Sequence, residues 1–343
     1  MPDYLPQTAA NAYSDLLSQC LEPCFTGTGV SFSRKTIKGK VYVYVSARIG
    51  ATPVQKLLGP EGDETNALIA AEKALWEANQ QRAVSRSELV NMCLSGGTLG
   101  MTPQEGKIIT MLERTGLFQV GGVLIGTPAF RTLGASMGVK WEQQYSTSDI
   151  DIGINGQFPL LIPSVPKVSL STAIQESQLG FVPIPMLNRK HPSTSFKLRG
   201  GEYSVELLTP EIGKPKEGPT YIEAIDSYAH NLRFLDYLLE DIQPAVVLFG
   251  TGVLVNIPDP ARFAFHKLVV SQRRGSHEVA KSRKDIDQAR QIIEVLLGSR
   301  PGSLEVAHDA AMALGNKFSK TLNTGIKLLP KSCRTNLKEW LAD

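Results

Sequence analysis

Apolar and polar positions change period several times along this chain. Over residues 10–24 the apolar side chains recur at helical spacing. Across 29–59 they alternate, with Val30-Ser31-Phe32 and Val41-Tyr42-Val43-Tyr44-Val45 on either side of a Lys38-Gly39-Lys40 turn. That alternation predicts a small antiparallel hairpin unit at the start of the protein. Between 64 and 94 the spacing of Leu68, Ala71, Leu75 and Trp76 is helical again. Thr102-Pro103-Gln104-Glu105 then opens another helix, with a cap residue ahead of a proline at the first helical position. These helices are expected to link the hairpin unit to the next domain.

Gly121-Gly122-Val123-Leu124-Ile125-Gly126 reads as a buried strand ending in a glycine. Thr127 is expected as N-cap and Pro128 as the first residue of a helix over 129–136. In Thr147-Ser148-Asp149-Ile150-Asp151-Ile152-Gly153-Ile154, the isoleucines at every second position predict a strand with one buried face. A proline-rich stretch over 155–193 (Pro159, Pro163, Pro166, Pro183, Pro185) suits an insertion or covering loop. A second hairpin follows, from Thr194-Ser195-Phe196-Lys197-Leu198 through Gly200-Gly201 to Tyr203-Ser204-Val205-Glu206-Leu207-Leu208. Helical spacing is expected over 229–239, and two strands over 245–257 about Gly250-Thr251-Gly252. A helical tail begins with 260–274 and 279–297, whose apolar stripes stand beside many Arg and Lys.

The whole pattern predicts an α+β protein in three parts: 1–100, the hairpin unit with linking helices; 101–257, a mixed-sheet core; and 258–343, a C-terminal helical domain. A chain of 343 residues has room for these. Cys20, Cys24, Cys93 and Cys333 have no metal-ligand spacing with histidines and read as reduced thiols. The amino terminus lacks a basic and apolar leader pattern, and no apolar run approaches bilayer length, so a cytoplasmic protein without membrane contact is expected. A net charge of +3 permits a polyanionic partner without requiring one.

The candidate chemistry centres on Asp149 and Asp151. At i and i+2 of a strand, both carboxylates stand on the face opposite the isoleucines, and like charges held that close call for a cation such as Mg²⁺. Glu206, in a later strand of the same alternation, is a third candidate carboxylate, giving a site for two ions. Upstream, Gly126 and Thr127 lie where a strand gives way to a helix amino terminus, a ready cradle for phosphate.

Gly126-Thr127, Asp149-Ile150-Asp151 and Glu206 together resemble the signature of the nucleotidyltransferase superfamily with the DNA polymerase β fold. There a Gly-Ser or Gly-Thr turn holds a triphosphate and three acids bind metal. Leu208-Thr209-Pro210, Leu232-Arg233-Phe234-Leu235, Pro260-Ala261-Arg262-Phe263 with His266-Lys267, and Lys281-Ser282-Arg283-Lys284-Asp285 are similar to a bacterial group of nucleotidyltransferase-domain proteins, over roughly 105–298. Two departures stand out. The interval from Gly126 to Asp149 is long, implying an extended helix or an added loop with Gly138, Trp141 and Tyr145, and Glu206 replaces the more usual aspartate. The resemblance implies Mg²⁺-dependent transfer of a nucleoside monophosphate from an NTP to an acceptor hydroxyl. Asp149, Asp151 and Glu206 would bind two metal ions, with Glu206 also drawing the acceptor's proton. Lys267 would face the triphosphate, and Asp285 would help shape the site from the next helix.

His266 reads as a packed or capping residue, and Arg273-Arg274 as a solvated helix face. The basic tail helices and the lysine-tyrosine hairpin lean toward RNA as acceptor, a tRNA 3′ end by resemblance to toxin-like relatives, with a protein side chain or small molecule left open. That branch also implies a neutralising partner protein. The alternative is a catalytically quiet module of the same fold, binding or antitoxin-like and regulatory.

Overall fold

The computed structural model describes residues 2–22, 24–49, 52–143, 145, 147–156, 169–275 and 278–342. A two-residue strand, β1 (Asp3–Tyr4), leads into helix α1 (Gln7–Leu21). The alternating segment forms β2 (Val30–Ile37), β3 (Lys40–Ile49) and β4 (Thr52–Pro60), an antiparallel sheet whose first turn places Lys38 and Gly39 at positive φ. The long helix α2 (Asp63–Ser95) and helix α3 (Pro103–Arg114) follow. Helix α3 starts at the expected capping box: the Thr102 hydroxyl accepts from Glu105 N and the Glu105 carboxylate accepts from Thr102 N.

The central sheet starts with β5 (Gly122–Leu124), which runs into helix α4 (Gly126–Met137), and continues with β7 (Asp149–Ile154); between them the short β6 (Val139–Lys140) pairs with β1 instead. Helix α5 (Leu170–Glu176), β8 (Phe181–Pro183), β9 (Ser195–Leu198), β10 (Ser204–Pro210), β11 (Thr220–Ile222) and β12 (Ser227–Leu232) complete it. Its order is β11-β12-β10-β7-β5, with β9 also paired to β10 and β8 paired to β9. Strands β7 and β12 run parallel to β10, and the other pairings are antiparallel. The remaining elements are helix α6 (Leu235–Leu239), the hairpin β13 (Ile242–Val247) and β14 (Val253–Pro258), and helices α7 (Pro260–Ser271), α8 (Val279–Ser299), α9 (Pro301–Ala313), α10 (Asn316–Leu328) and α11 (Lys331–Ala342). This is the α+β mixture that the pattern predicts.

Two of the expectations change. The helix expected over 229–239 is instead strand β12, a left-handed Phe234 at φ 70°, and the five-residue α6. Ser227 and Ala229 are buried while Tyr228 and His230 are exposed, so sheet pairing on both edges overrides the local helical spacing. Part of the proline-rich stretch also belongs to the fold: α5 buries Leu170 and Ile174, and β8 pairs Pro183 with Phe196 at the sheet edge. Pro159, Pro163 and Pro166 lie outside the described residues.

The core joins the sheet to the C-terminal helices. Ile150, Ile152, Val205 and Leu207 are fully buried with Phe263, Phe265 and Leu268 of α7 and Ile292 and Leu296 of α8. A smaller cluster carries α1 and α2 onto the β13–β14 hairpin. There the Tyr13 hydroxyl accepts from Val246 N at 2.9 Å, among Leu16, Val90 and Leu248. Among the described residues no helix is long and apolar enough to cross a membrane.

One buried ion pair positions the helix that leads into the site. Arg131 of α4 donates through both terminal nitrogens to Glu105 of α3, each at 2.8 Å, and through Nε to the carbonyl of Tyr145. Burial raises the carboxyl of Glu105, and the guanidinium and cap hydrogen bonds outweigh it, so the net direction is down. Glu105→Ala strands a charge at Arg131, which is only 6% exposed, and should cost about 3–5 kcal/mol in urea denaturation. A loss below about 1 kcal/mol would show that Arg131 finds another partner.

Candidate active site

The parallel register of β7 and β10 brings the acids together. Ser204 stands opposite Asp149 and Glu206 opposite Asp151, while Ile150 and Val205, one residue on, turn into the core. Asp149, Asp151 and Glu206 therefore share one face of two adjacent strands. The Ser204 hydroxyl donates to Asp149 Oδ1 at 2.8 Å, and Thr147 Oγ1 accepts from Asp149 N, which fixes the first carboxylate.

Helix α4 begins at Gly126, one residue earlier than the expected cap. Ile125 occupies the cap position and supplies no side-chain hydrogen bond, so Thr127 is not the N-cap. Its hydroxyl instead accepts from Lys284 Nζ of α8 at 3.1 Å. Gly126 has φ +70°, and a Cβ built there would lie 2.7 Å from Asp151 Oδ2. Only glycine lets the helix start this close to the carboxylate. The long Gly126–Asp149 interval is an added connection rather than a longer helix. Gly138 ends α4 in the left-handed conformation, β6 pairs with β1, and Trp141 stacks on Phe130 at 4.6 Å.

Electrostatics tie the strands to α7 and α8. Burial, then the charges of Glu206 and Asp149, push the Asp151 carboxyl up to about 6, with Lys267 and Arg274 pulling the other way. Glu206 is raised by burial and by Asp149, and lowered by Lys281. Lys267 and Asp285 are brought together: Lys267 Nζ donates to Asp285 Oδ1 at 2.8 Å, and Arg274 Nε donates to Asp285 Oδ2 at 3.1 Å. Burial raises Asp285, and the two cations more than reverse it. Lys284 is lowered by burial and by the neighbouring Lys267. His266 is buried and pushed down to about 3, chiefly by burial, and so stays neutral, with Nε2 unpartnered.

Lys284 and Arg274 are the cationic residues that reading the sequence did not single out for this role. The signal lay in the run Lys281-Ser282-Arg283-Lys284-Asp285, but which of its cations turns inward depends on the helix face. Among the described residues no group of three or more His, Cys, Asp and Glu side chains stands ready to hold a metal ion as the side chains are placed. The donor set nevertheless suits a hard divalent cation, because it is all carboxylate oxygen and Asp151 is destabilised by its two acidic neighbours.

In this α+β fold three acids stand beside a glycine-started helix, with Lys267, Arg274, Lys281 and Lys284 within electrostatic reach, a charge pattern that suits a phosphorylated ligand. Comparison with known families agrees. The family described as Nucleotidyltransferase matches residues 104–313, and the chain belongs to that family. No curated protein and no solved structure matches it.

A carboxyl raised in the folded state favours its protonated form there, so it withdraws stability as pH climbs from the ordinary 3.8 through about 6. In metal-free buffer at pH 7.5, Asp151→Asn should therefore be more stable than the parent, by about 2 kcal/mol once partial exposure is discounted. The two proteins should converge near pH 4. A variant less stable at pH 7.5 would mean that burial and the neighbouring acids do not disfavour the ionised form of Asp151.

Proposed function

We propose that this nucleotidyltransferase-family protein, of the polymerase β-like kind, moves a nucleoside monophosphate from an NTP to an acceptor hydroxyl and releases pyrophosphate. The observation that carries the reading is the register of Asp151 with Glu206, one strand apart on a shared face, beside the start of α4. Asp149, Asp151 and Glu206 would hold two Mg²⁺ ions, which when bound supply Lewis-acid activation of the acceptor and neutralise phosphate charge.

The chain's own residues perform the remaining tasks. The start of α4 at Gly126 and Thr127 offers backbone N–H groups and the positive end of the helix dipole to the phosphates. Lys284, held at Thr127, adds a positive charge at that place. Lys267 and Arg274, fixed on Asp285, offset negative charge that grows on the leaving pyrophosphate. Glu206, with its raised proton affinity, accepts the acceptor's proton as the new oxygen–phosphorus bond forms and the bond from that phosphorus to pyrophosphate breaks.

Incubation with each α-³²P-labelled NTP, Mg²⁺, and total RNA or protein extract tests this directly. Label should enter an acceptor fraction with the parent protein and fall to background with Asp149→Asn/Asp151→Asn. Mg²⁺ should raise the Tm of the parent and leave that of the double variant unmoved. Full transfer by the double variant would overturn the assignment. A folded parent that transfers no label to any acceptor would favour the catalytically quiet module.

Lys284→Ala should raise the KM for NTP by about tenfold, the worth of one charge-assisted hydrogen bond, with a smaller change in kcat. An unchanged KM would remove Lys284 from the phosphate site.

A further inference from the structure

Over the whole chain 36 Lys and Arg nearly balance 33 Asp and Glu, yet between Glu22 and Glu61 there are six cations and no acid. This stretch is the β2–β3–β4 sheet. Its register sorts the side chains into two faces. On one, Phe32 pairs with Val45 and Arg34 with Val43. That face packs toward α2: Phe32 stacks on Trp76 at 5.5 Å and 9°, and Val43 is fully buried.

The other face carries different chemistry. Lys35 pairs with Tyr42 and Ser33 with Tyr44, and Lys40 stands two residues before Tyr42 on the same side. Lys35 and Lys40 are exposed and the two tyrosines half-buried. The Lys35 ammonium lies 4.8 Å over the Tyr44 ring and donates to Gln55 Oε1. Gln55 Nε2 in turn donates to the hydroxyl of Ser46 at 3.0 Å. Cations, aromatic rings, an amide and hydroxyls thus share one open surface.

Alternating tyrosine and valine would serve packing alone if the tyrosine face were covered by apolar side chains. Here the face is open: beside the tyrosines stand lysines, serines and a glutamine, and the apolar side chains on it, Ile37 across from Lys40 and Leu57 across from Tyr44, are themselves exposed. The acid-free sheet complements a polyanion. Rings flanked by ammonium groups suit bases free to stack, which a closed duplex does not offer.

We propose that this face of the β2–β3–β4 sheet binds single-stranded RNA and so presents the acceptor strand to the transferase. Naming the strand as acceptor rests on the nucleotidyl-transfer reading, whereas binding to the face is measurable without NTP or metal. The probe is a fluorescent single-stranded RNA oligomer, titrated by anisotropy against the full chain at several salt concentrations. Its duplex and anionic phosphatidylserine vesicles serve as competitors.

Lys35→Gln/Lys40→Gln should weaken binding by about tenfold at low salt and flatten the slope of log K against log salt by about 1.4, for two phosphate contacts on a single strand. Tyr44→Leu, which keeps an apolar side chain at a half-buried position, should lose about tenfold with the slope unchanged, the mark of lost stacking. NTP-induced Tm shifts should be the same in the parent and in both variants. Unaltered affinity in both variants, or tighter binding to the duplex or the vesicles than to the single strand, would overturn the proposal. Loss of RNA binding in the variants, with label still entering RNA at the parent rate, would show that the face does not deliver the acceptor. That result would leave the transfer chemistry standing.

Discussion

The site depends on a conflict between packing and charge across the β7–β10 register. Ile150, Ile152, Ile154, Val205 and Leu207 all lie at or near zero exposure, on the side opposite Asp149, Asp151 and Glu206. With a period of two, a slip of one residue in either strand would turn its acids into the core and its apolar side chains into the site. Five buried aliphatic side chains at about 2 kcal/mol each stabilise the observed register by about 10 kcal/mol. The burial and the acidic neighbours that together lift Asp151 cost several-fold less. Packing wins, and the acids are held together because the core leaves them no other arrangement.

The compensating cations come from another part of the chain, and Asp285 controls where they stand. Lys267 and Arg274 both bond to this buried carboxylate, one on each oxygen. Without it, Lys267 would be a buried ammonium in search of an anion, and Asp151 is within its electrostatic reach. A direct Lys267–Asp151 pair would quench the negative charge of the acid cluster. Asp285 thus keeps the positive and negative halves of the site apart while each still influences the other. It also ties the charge arrangement to the pairing of α7 with α8.

Much of this was legible in the sequence where the signal is local. The period-two runs around Asp149 and Glu206 gave both strands and their acid faces. The Thr102 capping box gave the start of α3 in detail. Non-local pairing was harder to read. Strand β12 has helical spacing in isolation and becomes a strand only because β10 and β11 lie on either side of it. Lys284 meets Thr127 across 157 positions, so nothing in either neighbourhood announces the contact. Arg274 reads as part of a solvated face until Asp285 is folded beneath it. Lys267 and Asp285 were both recognised by resemblance, but their bond to each other was not foreseen.

The expected cap at Thr127 fails for an informative reason. A threonine cap would place its own oxygen on the first N–H groups of the helix and satisfy one of them internally. Helix α4 instead starts with no side-chain cap, and the Thr127 hydroxyl is turned to Lys284. The positive end of the helix therefore remains available to an external anion, with an ammonium group added beside it. Gly126 lets this donor-rich start approach the carboxylate of Asp151 more closely than any side chain would permit. Left alone, that proximity would invite the acid to serve as the cap. The sheet ties the backbone of Asp151 between antiparallel β5 and parallel β10, where its carbonyl accepts from Ile125 N at 3.0 Å. The uncapped helix start and the acid cluster are thus close neighbours, an arrangement that suits the phosphate-bearing substrate of the proposed reaction.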